Sequence, residues 1–360
     1  MASWWQPGQL LFVGFQGTEL PPDLEALIAQ GRVGGVILFS RNIESPEQLR
    51  GLVTAIHGAA PPEVPLLVGI DQEGGRVQRL RDPWTVWPPM RRLGDRNAPE
   101  DTRAFAAALA RELVDMQIHL DFSPVVDVDT NPANPVIGDR SFARDPSRVI
   151  AHAVPVIEAL QQAGVAACAK HFPGHGDTDL DSHLQLPRLA HDLDRLRAIE
   201  LPPFAAAAKA GVASIMTAHV VFEAIDRKRP ATISPEVMAL LREEIGYDGV
   251  VFSDDFEMKA VADHHSPDAL VRGCLEADVD AMLVCSDASL RDEVLQRLER
   301  SPDRRVERAI ERVVAMKKHY AVRPSNPESE DPRDPAAREE PSGPPYPEHQ
   351  DLARHLSDDG

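Results

Sequence analysis

Gly164-Val165-Ala166-Ala167-Cys168-Ala169 runs without a break into Lys170-His171-Phe172-Pro173-Gly174-His175-Gly176-Asp177-Thr178-Asp179-Leu180-Asp181-Ser182-His183. The first six residues read as a short buried strand. The next fourteen hold three His, three Asp and one Lys beside two Gly and a Pro, which forbid regular helix or strand. A polar loop leaving a buried strand costs desolvation and backbone entropy that folding alone does not explain. A functional site explains it. A plain solvated loop accounts for the glycines but not for the titratable run.

On either side of this stretch the same strand-like signal recurs at Leu10–Phe15, Gly34–Phe39, Leu66–Asp71, within Ile118–Val128, and at Ala213–His219, Gly249–Asp254 and Val279–Cys285. These runs are near-continuously apolar, as parallel strands buried on both faces are. The segments between them have helical period. Phe105, Leu109, Leu113 and Met116 share a face after Asp101. Asp145-Pro146 reads as a cap and first-turn proline before Val149, Ala153, Ile157 and Leu160, with a kink expected at Pro155. Ser234-Pro235 opens a helix that Gly246 closes. Eight strand-then-helix units predict an α/β fold, a single (β/α)8 TIM barrel over residues 1–322. An open doubly wound sheet is the alternative, but no Gly-rich dinucleotide loop follows the first strand. In a barrel the site lies at the C-terminal strand ends. Asp71, Asp127, Lys170, His171, His219 and Asp254 all fall there.

Composition narrows the function. Hydrophobic residues make up 43% of the 360, and the formal net charge is −19. Nucleic acid and anionic membrane are poor partners for such a chain. No run of about 18 apolar residues is present, and the N-terminus lacks a secretory signal pattern, so a cytoplasmic protein is expected. Cys168, Cys274 and Cys285 read as reduced core residues. From Pro324 to Gly360 there are eight Pro, ten acidic and three basic residues. Residues 323–360 are therefore expected to be a disordered acidic, Pro-rich tail, in which Leu352–Leu356 has the pattern of a helical turn for a partner.

Three motifs carry chemistry. Asp71-Gln-Glu-Gly-Gly-Arg76-Val-Gln-Arg79 sets a carboxylate at a strand end with two guanidinium forks behind it, a pattern suited to a polyhydroxylated ligand. A local Asp–Arg ion pair is the bland alternative. Gly138-Asp139-Arg140-Ser141-Phe142 is a weaker signal of the same kind. Ser253-Asp254-Asp255 ends the seventh strand with a carboxylate pair, one suited to nucleophilic attack and the other to capping the next helix. In the central loop, Asp181 lies two residues before His183 and can tune its basicity as a general acid/base. The middle of that loop reads as a glycine-hinged span, with His175 fixing the loop by hydrogen bonds to backbone. A metal-dependent hydrolase using the His/Asp loop competes, but the spacing fits no tight ligand template. No metal and no cofactor are expected.

Taken together, Lys170-His171-Phe-Pro-Gly-His-Gly-Asp-Thr-(x2)-Asp181-Ser-His183, Asp71-Gln-Glu-Gly-Gly-Arg, Arg140-Ser-Phe and Ser-Asp254-Asp-(x2)-Met258 resemble glycoside hydrolase family 3, most of all its bacterial β-N-acetylglucosaminidases of the NagZ type. The resemblance runs from Leu10 to about Tyr320. It implies Asp254 as nucleophile, His183 as acid/base with Asp181 as its partner, and Asp71, Arg79, Arg140, Lys170 and His171 as sugar-binding residues. It further implies a retaining exo-β-N-acetylhexosaminidase acting on a small carbohydrate or muropeptide, with peptidoglycan recycling as the setting; one barrel domain is enough for this chemistry, so a monomer is expected. Related β-glycosidases and sugar phosphorylases are the neighbouring alternatives. Phe256 departs from the family, where Leu is common; this touches packing only.

Overall fold

The computed structural model describes residues 6–182, 184–301, 304–321 and 343–358. Eight parallel strands close a barrel: β1 Leu11–Val13, β2 Gly35–Leu38, β3 Leu67–Ile70, β4 Leu120–Asp121, β5 Ala166–Phe172, β6 Ser214–Thr217, β7 Val250–Asp255 and β8 Ala281–Val284. Each strand pairs with the next in sequence, and β8 returns to β1 with Phe12 opposite Leu283. The (β/α)8 expectation therefore holds. A two-stranded sheet of Arg188–Leu189 and Val221–Phe222 lies outside the barrel.

The strands are short and apolar because the barrel is filled from inside. Phe12 and Phe122 both meet Phe252 edge to face, with centroids 4.8 and 5.5 Å away. Each such contact contributes roughly 0.5–1.5 kcal/mol beyond area burial. Phe12 also sets a neighbour: a Cβ on Gly35 would fall 2.3 Å from its ring. Helices cover the outside. Asp145 accepts from the Arg148 N–H at 2.9 Å and opens the Pro146–Gln162 helix, which continues past Pro155. That cap contributes about 1 kcal/mol. Ser234 caps the Pro235 helix in the same way, and Gly246 ends its last turn at φ 78.

Two expectations need correction. The fourth strand is only Leu120–Asp121. Pro124 has no N–H to give a ladder, and Phe122–Val128 runs on as extended chain beside the end of β5, where the Val126 N–H donates to the Lys170 carbonyl at 2.8 Å. Asp127 consequently lies six residues beyond its strand, not at its end. The second correction concerns the tail. Residues 322–342 lie outside the described residues, but Pro347–Ser357 is a helix packed on the barrel's own Met90–Arg96 and Pro99–Asp115 helices. Tyr346 donates to Asp115 at 2.9 Å, His349 binds Glu112 at 2.8 Å, and Ala353 and Leu356 are buried. The tail's average composition concealed an apolar face at helical spacing, Tyr346, Ala353 and Leu356 among it. The partner of the Leu352–Leu356 turn is this chain itself.

Candidate active site

Lys170 leaves the barrel on β5 with its side chain buried, and a buried ammonium needs carboxylates. It has two: Asp71 Oδ1 at 2.8 Å and Glu73 Oε1 at 2.6 Å. Asp71, one residue past β3, also accepts from Arg79 Nη2 at 3.1 Å. Glu73 is gripped from the other side by Arg140, whose Nε and Nη2 each donate at 2.8 Å. Burial alone would raise the Asp71 carboxyl, but Lys170 and Arg79 hold it well below the ordinary carboxylate range. Burial likewise opposes Glu73, and Arg140 and Lys170 bring it down to about 2. The five groups form one ionised network, with three cations against two carboxylates.

Behind this wall sits Asp127, buried, which accepts from the His171 N–H and binds His171 Nδ1 at 2.8 Å. It also accepts from the His175 N–H at 2.7 Å. The Lys170–His171 peptide is cis. On the facing side, β7 ends in Asp254 and Asp255. The Asp255 N–H donates to Asp254 Oδ1 at 2.8 Å. Asp255 Oδ1 accepts from the Glu257 N–H, an Asx turn in place of the expected helix cap, and burial with Glu257 nearby raises its carboxyl to about 7. His219, on the segment after β6, ties to Thr232 at 2.7 Å and to the Asp255 carbonyl at 3.0 Å.

All these walls enclose a cavity of about 330 Å3, within the range of ligand clefts. Asp71, Arg79, Arg140, Lys170, His171, Asp181 and Asp254 line it. Ile37, Phe122, Met216 and Leu283 contribute apolar surface to the same cavity. A family model, "Glycosyl hydrolase family 3 N terminal domain", matches residues 6–316. The chain belongs to glycoside hydrolase family 3. The beta-hexosaminidase of Thiobacillus denitrificans is 41% identical over 295 residues, covering 80% of this chain and 81% of that one. The beta-hexosaminidase of Pseudomonas aeruginosa PAO1 is 38% identical over 303 residues, covering 83% and 90%. Among solved structures, the family-3 beta-N-acetylglucosaminidase from Paenibacillus sp. FPU-7 superposes with a TM-score of 0.91 at 36% identity, over 99% of this chain and 68% of that chain. NagZ from Neisseria gonorrhoeae gives 0.79 at 30% identity, over 97% and 98%.

Of the family-3 residues named from sequence, the structure brings together every one except His183, which lies outside the described residues. It also shows residues that sequence reasoning missed. Glu73 stood inside a quoted motif, yet nothing in its spacing distinguished a network carboxylate from a turn residue. Asp127 was placed at a strand end without a role. Asp121, buried and raised well above its ordinary value by that burial, accepts from the Gln72 N–H at 2.9 Å and holds the chain just after Asp71.

The central loop differs from a glycine-hinged span. A Cβ on Gly176 would meet the Val128 carbonyl oxygen at 1.9 Å, and Gly174, at φ +138, packs on Glu200. These glycines permit close approach; they do not loosen the chain. His175 does fix the loop, but its ring binds the hydroxyls of Thr178 at 2.8 Å and Ser182 at 2.9 Å, not backbone. Burial, then His171, pushes its imidazole down to about 4. The unfolded chain would protonate His175 near pH 6.5 and the folded chain only near 4. Its contribution is therefore complete above pH 6.5 and is lost as pH falls through about 4, for a total near 3 kcal/mol by linkage. Urea unfolding at pH 7 and pH 4.5 should show this loss in the wild type and a clearly smaller one in His175→Gln. Equal losses would contradict it.

Proposed function

We propose that the chain is a retaining exo-β-N-acetylglucosaminidase that removes terminal, non-reducing β-linked N-acetylhexosamine. Asp254 is the nucleophile, and Asp181 with His183 forms the acid/base pair. The observation that carries this reading is a carboxylate at the end of β7 opening onto a cavity walled by ion-paired Asp71, Lys170, Arg79 and Arg140. The beta-hexosaminidase and beta-N-acetylglucosaminidase relatives support the activity.

The roles follow from the chemistry of each group. Both oxygens of Asp71 are held by cations, yet each keeps lone-pair capacity for a sugar hydroxyl. Asp254 attacks the anomeric carbon while His183 gives its proton to the departing oxygen, so the C–O bond breaks and a glycosyl ester forms. Water, deprotonated by His183, then displaces Asp254 from the opposite face, and configuration is retained. An imidazole replaces the second carboxylic acid common in retaining enzymes. Both ring nitrogens of His175 are committed to hydroxyls and His171 Nδ1 to Asp127, which disfavours the metal-hydrolase alternative.

The natural substrate we propose is a peptidoglycan fragment. We also propose a cytoplasmic monomer, a location with which three free cysteines are compatible. Among the described residues no helix is long and apolar enough to cross a membrane. The test is proton NMR of aryl β-N-acetylglucosaminide hydrolysis. The β-anomer of the free sugar should appear first and mutarotate later. First appearance of the α-anomer, or activity lost on EDTA dialysis and restored by Zn2+, would contradict the mechanism.

A further inference from the structure

Ser182 is 1% exposed, although Leu180 and Leu184 around it are 37% and 61% exposed. A buried serine in an otherwise exposed stretch needs partners, and it has one on each side of the cavity. Its Oγ is 2.9 Å from His175 Nε2, on the β5 side. Its carbonyl accepts from the Ala260 N–H at 3.2 Å, on the β7 side, six residues after Asp254. His175 has no freedom to follow Ser182. Its N–H is bound to Asp127, its carbonyl accepts from Asn134 Nδ2 at 2.8 Å, and its other ring nitrogen is bound to Thr178. Asp181, the residue before Ser182, lines the cavity with Asp254, and its carbonyl accepts from the Leu184 and Gln185 N–H groups at 2.9 Å.

We propose that Ser182 and His175 are positioning residues for proton transfer: the Asp127–His175–Ser182 chain of hydrogen bonds fixes Asp181 at the cavity against the segment that carries Asp254. This rests on the proposed glycosidase reading. At one end of the chain Asp127 also holds His171; the Ser182 tie at the other end joins His175 to the Ala260 N–H, outside the five-group ion network. Its loss acts on leaving-group protonation, because displacing a catalytic group by about an ångström can cost on the order of 10²-fold.

The test compares kcat/KM, which reports steps through formation of the glycosyl-enzyme, for two substrates. One is 2,4-dinitrophenyl β-N-acetylglucosaminide, whose leaving group needs little protonation. The other is N,N′-diacetylchitobiose, whose leaving group needs it. In Ser182→Ala, chitobiose hydrolysis should fall roughly 30- to 100-fold and dinitrophenolate release less than about threefold, with a melting temperature lowered by only a few degrees, as the loss of one buried hydrogen bond implies. Thr178→Val, which leaves Ser182 intact but unpins the His175 ring, should shift the ratio the same way by a smaller factor. An equal loss on both substrates, or no loss on either, would overturn the positioning role while leaving the glycosidase reading intact. A wild type inactive on both substrates would instead overturn the glycosidase reading.

Discussion

Asp254→Asn should lower kcat/KM on an aryl β-N-acetylglucosaminide by about 10⁴-fold or more, since an amide cannot form the glycosyl ester. The change is close to isosteric. Asn keeps an oxygen to accept the Asp255 N–H that now lies 2.8 Å from Asp254 Oδ1, so the end of β7 should hold its shape. Far-UV circular dichroism and the melting temperature should match the wild type. The loss is then one of chemistry and not of folding. Activated leaving groups should not restore turnover, because they replace the acid and not the nucleophile. Residual activity above a tenth of wild type would remove Asp254 from the central role.

Glu73→Gln should be the most destabilising single change in the site. The Glu73 carboxylate is 1% exposed and is shared by Arg140, at 9%, and Lys170, at 2%. A neutral amide leaves two buried cations with Asp71 as their remaining network carboxylate. Breaking a buried pair in this way costs about 3–5 kcal/mol, because the uncompensated charge remains in place. Urea unfolding measures it. Arg103→Gln serves as the control: the Arg103–Glu158 pair is 47% and 39% exposed, so its loss should cost about 1 kcal/mol or less. Similar costs for the two variants would mean that Glu73 is not a shared counter-ion.

The barrel was legible because its strands are buried on both faces, which leaves continuous apolar runs in the chain. The positions of Asp71, Lys170 and Asp254 at strand ends followed from that. What sequence could not show was partnership. Glu73 lies two residues from Asp71, yet it binds Arg140 and Lys170, 67 and 97 positions away along the chain. Asp127 was visible as a strand-end carboxylate, but its grip on His171 and His175 depends on a fourth strand cut short before Pro124. The glycines of the central loop were read for their freedom, whereas Gly176 is there because the Val128 carbonyl leaves no room for a Cβ. The C-terminal helix was missed because composition was averaged over 37 residues, and only the spacing of Tyr346, Ala353 and Leu356 marks it.

The mechanism requires a covalent glycosyl-enzyme on Asp254. Incubation with an activated fluorinated N-acetylglucosaminyl fluoride, which slows the breakdown of such an intermediate, followed by intact-mass measurement and peptide mapping, tests it most directly. One sugar per chain on the peptide containing Asp254, absent in Asp254→Asn, is the predicted result. A sugar carried on any other residue, or steady turnover with no labelled protein, would contradict it.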